Sequence, residues 1–198
     1  HGFEVTWADL DEYGQVQDLA KALKPDTTLV SLMTSNNEIG TVHQIAKLAT
    51  MAHEQGALFH TDAVQAVGWQ DLNVQALGVD ALSVSGHKFG APKGSGVLVL
   101  KAGKHLEPLI HGGGQENGLR SGTENVAWAV AIATALDELR ESAAGLEDAA
   151  LMRDEFIAEV LRAVEDFDVE GKYGWRTKCD TNAATIEPPQ IETIHVIS

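Results

Sequence analysis

The chain has 198 residues, 44% of them hydrophobic, which is enough for one domain or one and a fraction around a real core. Acidic residues outnumber basic ones 29 to 14, and the resulting net charge of −15 repels polyanions and argues against a nucleic-acid partner. No apolar run approaches the ~20 residues of a membrane helix, the opening "HGFEVTW" shows neither an initiator Met nor a signal peptide, and the lone Cys179 excludes an internal disulfide or a multi-cysteine zinc site, so a reducing, cytoplasmic setting is expected.

In chain order, "HGFEVTW" reads as a strand that enters without a predecessor. "QVQDLAKALKPD" reads as a short helix, with Leu19 and Leu23 one turn apart and Pro25 as its stop. "TTLVSLMTS" is an apolar, β-branched run and predicts a buried strand. "TVHQIAKLATMAHEQG" predicts a helix with Val42, Ile45, Leu48 and Ala49 on one face, ended by Gly56. "ALFHTD", "VDALSVS" and "GVLVLK" predict three further strands. Strands alternating with helices imply an α/β layer with a mostly parallel sheet; the tighter links between the later strands imply some antiparallel pairing.

Beyond "HGGGQENGLRSG" the texture becomes helical. "TENVAWAVAIATALDELRES" carries Val126, Val130, Ala133 and Leu136 at helical spacing, with Thr123 and Glu124 placed as cap and first-turn acid. After Gly145, "LEDAALMRDEFIAEVLRAVEDF" carries Ile157, Val160, Leu161 and Val164; both stripes read as core faces. "KYGWRTKCDTNAATIEPPQ", which holds Cys179, reads as a polar loop, and "IETIHVIS" as a terminal strand. The abrupt ends suggest a piece of a longer protein.

Four stretches carry chemistry. In "SVSGHKFGAPKGSG", Lys88 precedes Phe89 and Lys93 precedes Gly94, so neither lysine has the Ser or Thr that a Walker-type phosphate loop needs. A lysine at the carboxyl end of a strand can instead form a Schiff base with a carbonyl cofactor, and a solvated turn lysine is the plain alternative. In "HTDAVQ", Asp62 ends a strand and could hold a pyridine nitrogen protonated, with Gln65 one short turn later to bond a ring oxygen; the plain reading of Asp62 is a helix cap. His60 with Asp62 could begin a metal pair, but no other histidine completes a ligand spacing. "SNNEIG" offers two successive amides at a third strand end, or simply a turn. "HGGGQENGLRSGTEN" offers close backbone approach, Arg120 and the Thr123 hydroxyl to an anion, or is a flexible loop.

Taken together, "NNEIG", "HTDAVQAVG", "SVSGHKFGAPKGSG" and "HGGGQENGLRSGTEN" resemble, in order and spacing, the cysteine desulfurases, a branch of the class V aminotransferase-like enzymes that use pyridoxal 5'-phosphate (PLP). The resemblance implies the aspartate-aminotransferase-like PLP-dependent transferase fold. Residues 1–122 would be part of the large domain, 123–145 a connecting helix and 146–198 the start of a small domain. It implies that Lys88 holds PLP and moves a proton, that Asp62 pairs with the pyridine nitrogen and that Gln65 bonds the ring oxygen. Asn37 would lie beside cofactor and substrate carboxylate, Ser85 and His87 would bind the phosphate, and Thr123 would reach the phosphate in a neighbouring subunit of a homodimer. The implied reaction takes sulfur from L-cysteine, leaving alanine and an enzyme persulfide that passes to an acceptor protein for iron–sulfur clusters or thiolated products.

The resemblance places the nucleophilic cysteine beyond "IETIHVIS", so Cys179 is not assigned that role, and the chain alone is expected to be inactive in sulfur transfer. His43 and Asn117 depart from the glutamine and the basic residue usual at their positions. A selenocysteine lyase, another class V aminotransferase or a non-catalytic remnant of the fold remain as alternatives. No metal, nucleic acid or membrane partner is expected.

Overall fold

A computed structural model describes residues 2–141, 145–163 and 194–197. Six strands form one sheet: β1 (Val5–Ala8), β2 (Leu29–Met33), β3 (Leu58–Asp62), β4 (Ala81–Ser85), β5 (Gly96–Leu100) and β6 (Ile194–Ile197), in the order β1-β6-β2-β3-β4-β5. The centre is parallel: β2 pairs with β3 from Leu29↔Leu58 to Met33↔Asp62, and β3 with β4 from His60↔Ala81 to Asp62↔Ser83. Around it the pairings are antiparallel, β5 on β4 and β6 on both β1 and β2. The fold is α/β, with the expected antiparallel pairing between the closely linked β4 and β5. The terminal strand finds its partners far back in the chain, by inserting between β1 and β2.

The helices follow from the spacing of small and aliphatic residues. α2 (Ile45–Glu54) buries Ile45, Ala49 and Ala52 along one stripe, with Leu48 packed at its margin, and Gly56 closes it in the left-handed region at φ +82. α1 is shorter than its sequence suggests, a single turn over Leu19–Ala22 that ends as the Leu23 N–H bonds the Leu19 carbonyl. A further one-turn helix, α3 (Val74–Leu77), was not expected from the sequence. Its signals are nonetheless present: the Asn73 side chain accepts from the Gln75 and Ala76 N–H groups, and Gly78 ends it at φ 70.

Alternation along the strands gives the sheet two unlike faces. Val30 and Leu32 of β2, Phe59 of β3 and Leu82 of β4 are buried with Leu19, Ile45, Ala49 and Ala52 of the helices. The opposite face carries Ser31, His60 and Ser83.

Two further helices, α4 (Val126–Glu141) and α5 (Gly145–Ala163), follow the Gly-rich loop. Here two expectations change. α4 is capped by Asn125, whose Oδ1 accepts from the Trp128 N–H at 3.1 Å, so Thr123 and Glu124 lie ahead of the helix instead of capping it. Its expected core stripe faces outward: Val126 is 68% and Val130 60% exposed, while Ile132 and Ala135 are buried against Val67, Phe89 and Ala91. "VAWAVAIATAL" is apolar almost all the way round, so its period identifies a helix without fixing which side docks; the patch offered by Val67 and Phe89 fixes that. On α5, Ile157 and Val160 are half-buried, and the Leu161 side chain and Val164 lie outside the described residues, as does Cys179.

At the amino ends of the parallel strands, Asp80 is 4% exposed. Its carboxylate accepts from the Phe59 N–H at 2.9 Å, from His53 Nε2 at 2.7 Å and from Lys104 Nζ at 3.2 Å, tying α2, β3 and the segment after β5 to the start of β4. Burial alone would raise the carboxyl pKa; the hydrogen bonds from Phe59, His53 and Lys104 outweigh it and hold the group below its ordinary value. That stabilisation is complete above the unfolded pKa of about 3.9 and is lost as pH falls through the lower folded value. Asp80→Asn should cost about 2 kcal/mol near neutral pH by urea denaturation, and its deficit relative to wild type should shrink below about pH 4.

Candidate active site

Parallel pairing sets the carboxyl ends of β2, β3 and β4 side by side, and three of the four stretches singled out by chemistry leave the sheet there. After β2, the loop through "SNNEIG" closes on Asn36, not on Asn37. Buried Asn36 accepts at Oδ1 from the Glu38 and Ile39 N–H groups at 2.8 and 3.0 Å, and its backbone bonds Gly40 and Thr41. Asn37 is thereby turned outward, exposed, with its amide donating to Glu38 Oε1 at 2.8 Å. The loop is stitched to the Tyr13–Gln15 turn: the Thr41 hydroxyl donates to the Tyr13 carbonyl, Gln15 Nε2 to Val42 O at 2.9 Å, and His43 Nε2 to Gly14 O at 3.1 Å.

Asp62 is the last residue of β3, exposed, and its Oδ1 accepts from the Val64 N–H at 2.9 Å. That bond starts a turn containing the half-buried Gln65, so no helix follows for Asp62 to cap. Among the described residues Oδ2 carries no hydrogen bond, which leaves one carboxylate oxygen for a cationic partner.

After β4 the chain makes a 3-10 turn over Gly86–Lys88. The loop closes on itself, with Gly86 N–H on the Ser95 carbonyl at 2.9 Å and the Phe89 and Ala91 N–H groups both on the Gly86 carbonyl. A Cβ at Gly86 would overlap the Ser95 hydroxyl, which explains the glycine between Ser85 and His87. Phe89 and Ala91 sink into the cluster with Ile132 and Ala135. Lys88 therefore has an anchored backbone and an exposed side chain with no ion pair among the described residues. Ser85 Oγ and His87 Nδ1 lie 2.8 Å apart, a hydroxyl and an imidazole already sharing a proton at the root of this turn.

The fourth stretch is built differently. Ser121 is buried and bonds back to Ile110 O at 3.1 Å, and Gln115 Oε1 accepts from the Gly122 N–H at 2.9 Å. Glu116 and Asn117 take left-handed backbone at φ 50 and 56, a conformation asparagine tolerates better than most residues. Thr123 is exposed in the segment leading to α4, and no described contact brings it to Asp62 or Lys88. Asn36 and the Gly86–Ser95 closure were not read from the sequence as structural residues. Each depends on which backbone groups need a partner once the loop has closed, and only the glycine after a strand gives a sequence hint of it.

A lysine on an anchored turn and a carboxylate whose second oxygen has no bond among the described residues thus lie at neighbouring strand ends of one parallel sheet. The aminotransferase class-V family model matches residues 1–197, and the chain belongs to that family, whose members are PLP-dependent. It is 47% identical to cysteine desulfurase IscS of Dictyoglomus turgidum, over 86% of this chain and 44% of that protein. An IscS-like cysteine desulfurase of Mycobacterium tuberculosis is 44% identical, again over 86% of this chain and 44% of the relative. Among solved structures, a NifS-like protein superposes with a TM-score of 0.73 at 37% identity, over 83% of this chain and 46% of its own. SspA in complex with cysteine gives 0.62 at 39% identity, over 65% of this chain and 38% of its own. The chain thus spans about half the length of the relatives it matches.

Burial lowers the pKa of His43, with the Gly14 and Met33 carbonyls and the Asp11 charge opposing it. A folded value below the unfolded value of about 6.5 means stability is complete above that pH and is lost as pH falls through the folded value. His43→Gln can keep the bond to Gly14 and cannot take up a proton. Between about pH 7.5 and about pH 5.5 its urea midpoint should fall less than that of wild type.

Proposed function

We propose that this chain carries the PLP-holding half of a cysteine desulfurase, which converts L-cysteine to L-alanine and leaves the sulfur as a persulfide on an enzyme thiol. The observation that carries the reading is Lys88, exposed on a turn locked between buried Gly86 and Phe89, at the strand end next to Asp62. The residues fit the group: a primary amine for its aldehyde, a carboxylate oxygen with no bond among the described residues for its ring nitrogen, and a serine–histidine pair for its phosphate. Bound there, PLP supplies an electron sink for the substrate's α-carbon.

The chain's own residues do the rest. Lys88 takes and returns the α-proton, its reach set by the closed turn. Asp62 would pair with the ring nitrogen and keep a proton on it, Gln65 would donate to the ring oxygen, and Ser85 with His87 would hold the phosphate. Outward-facing Asn37 meets the substrate carboxylate, and Thr123 serves the phosphate of a second copy. The exposed Val126 and Val130 support a homodimer by leaving apolar surface for such a copy to cover. The cysteine bound by SspA and the IscS name of the relatives support L-cysteine as substrate and a sulfur-acceptor protein of iron–sulfur assembly as partner. Residues 1–122 then form part of the large domain, 123–145 the connecting helix and 146–198 the start of the small one, whose Ile194–Ile197 strand pairs back onto β1 and β2 of the large-domain sheet, in a cytoplasmic enzyme.

Incubation with PLP, reduction with borohydride and peptide mapping should place the adduct on Lys88, and Lys88→Ala should abolish it. Labelling spread over Lys93, Lys101 and Lys104 would refute the site. Asp62→Asn should weaken PLP uptake about tenfold, the worth of one charge-assisted hydrogen bond. In the whole enzyme, L-cysteine should yield alanine and sulfane sulfur in equal amounts; amino transfer to a keto acid without sulfur release would favour an aminotransferase.

A further inference from the structure

His60 lies on the face of the sheet opposite α1 and α2, half-buried, two residues before Asp62 on the same side of β3. Its Nδ1 is 2.8 Å from Ser31 Oγ on β2, and its Nε2 is 3.1 Å from Ser83 Oγ on β4. Among the described residues it is the side chain that bonds both flanking parallel strands. On the buried face the corresponding tie joins only two of them, Thr61 Oγ1 to Thr34 Oγ1 at 2.8 Å and to Leu32 O at 2.9 Å. The row sits just behind the strand ends. Ser83 O accepts from the Ala63 N–H at 2.9 Å and Asp62 O from the Thr34 N–H at 2.7 Å, while Ser85 stands two residues past Ser83 on the same side.

From this geometry we infer that His60 is a positioning residue: bonded to Ser31 and Ser83, it fixes the lateral spacing of β2, β3 and β4 and thereby the place of the Asp62 carboxylate relative to the Lys88 turn. A ring in this position satisfies both nitrogens when neutral, with one hydroxyl donating and the other accepting. Burial lowers its pKa against the pull of Asp62, in keeping with that neutral state. A phenylalanine would fill the same space and make neither bond, whereas a glutamine can recover the bond to Ser83. The inference rests on Asp62 and Lys88 as the PLP groups, and its test is built to separate the two.

Amide hydrogen exchange on the chain without cofactor is compared for wild type, His60→Phe, His60→Gln and Ser83→Ala. In His60→Phe the Thr34 and Ala63 amides should exchange about tenfold faster, the size of one to two hydrogen bonds, while Ala49 and Ala52 in α2 keep their wild-type rates. His60→Gln should recover most of the protection at Ala63. Ser83→Ala, which removes one bond and no ring, should show the same local change more weakly, and it decides the matter where His60→Phe does not fold. Unchanged rates at Thr34 and Ala63, or a uniform rise that includes Ala49 and Ala52, would overturn the inference. With PLP added, His60→Phe should take up cofactor about tenfold more weakly, with Lys88 still the residue labelled; wild-type affinity in that variant would overturn the link to the site. Failure of the wild-type chain to label Lys88 would refute the PLP reading, and the exchange rates would still decide what His60 does.

Discussion

Parallel pairing of β2, β3 and β4 is the constraint on which the rest of the structure depends. Antiparallel neighbours present alternate ends at each edge of a sheet, whereas parallel neighbours present all their carboxyl ends together. Because Met33 pairs with Asp62 and Asp62 with Ser83, the residues after each strand enter the same strip of space. Amide, carboxylate and amine come from segments far apart in sequence and are set at neighbouring strand ends. The strands β1, β5 and β6, which pair antiparallel, flank this trio and extend the sheet on either side.

Pairing alone would leave three loose loops, and each is closed by a different local device. Asn36 spends its side chain on the backbone of its own loop, which turns Asn37 outward. Asp62 gives one oxygen to its own turn, and the other has no bond among the described residues. The Gly86–Ser95 loop bonds to itself and pins Phe89 and Ala91 in the cluster under α4, so the intervening lysine is exposed while its backbone is fixed. A chemically useful side chain here is flanked by residues whose purpose is to hold still. The amino ends of the same strands are secured separately by Asp80, which joins α2 and the segment after β5 to the sheet.

The strands and the long helices were legible because their evidence is local. Leu29–Met33 alternates in burial as a strand with one face in the core should, and Ile45, Ala49 and Ala52 recur at a helical period. The failures have separate causes. Val126, Val130 and Leu136 form a correct helical stripe on the wrong side of α4, because a helix apolar nearly all round takes its orientation from whatever it packs against. α3 is a single turn, too short for periodicity, and shows only in its caps, Asn73 and Gly78.

By itself, the sequence determined the α/β class, the identity of the residues at each strand end and, through four glycine- and amide-rich stretches, the family. These are matters of residue type and spacing along the chain, which need no knowledge of distant contacts. Only the tertiary structure decided that Asn36 shapes the loop that displays Asn37, that Ile194–Ile197 enters between β1 and β2, and that His60 reaches serines on both neighbouring strands. Those outcomes turn on which backbone and side-chain groups are left needing partners once strands from distant parts of the chain lie side by side, and hydrogen bonding across strands leaves no periodic trace in any one of them.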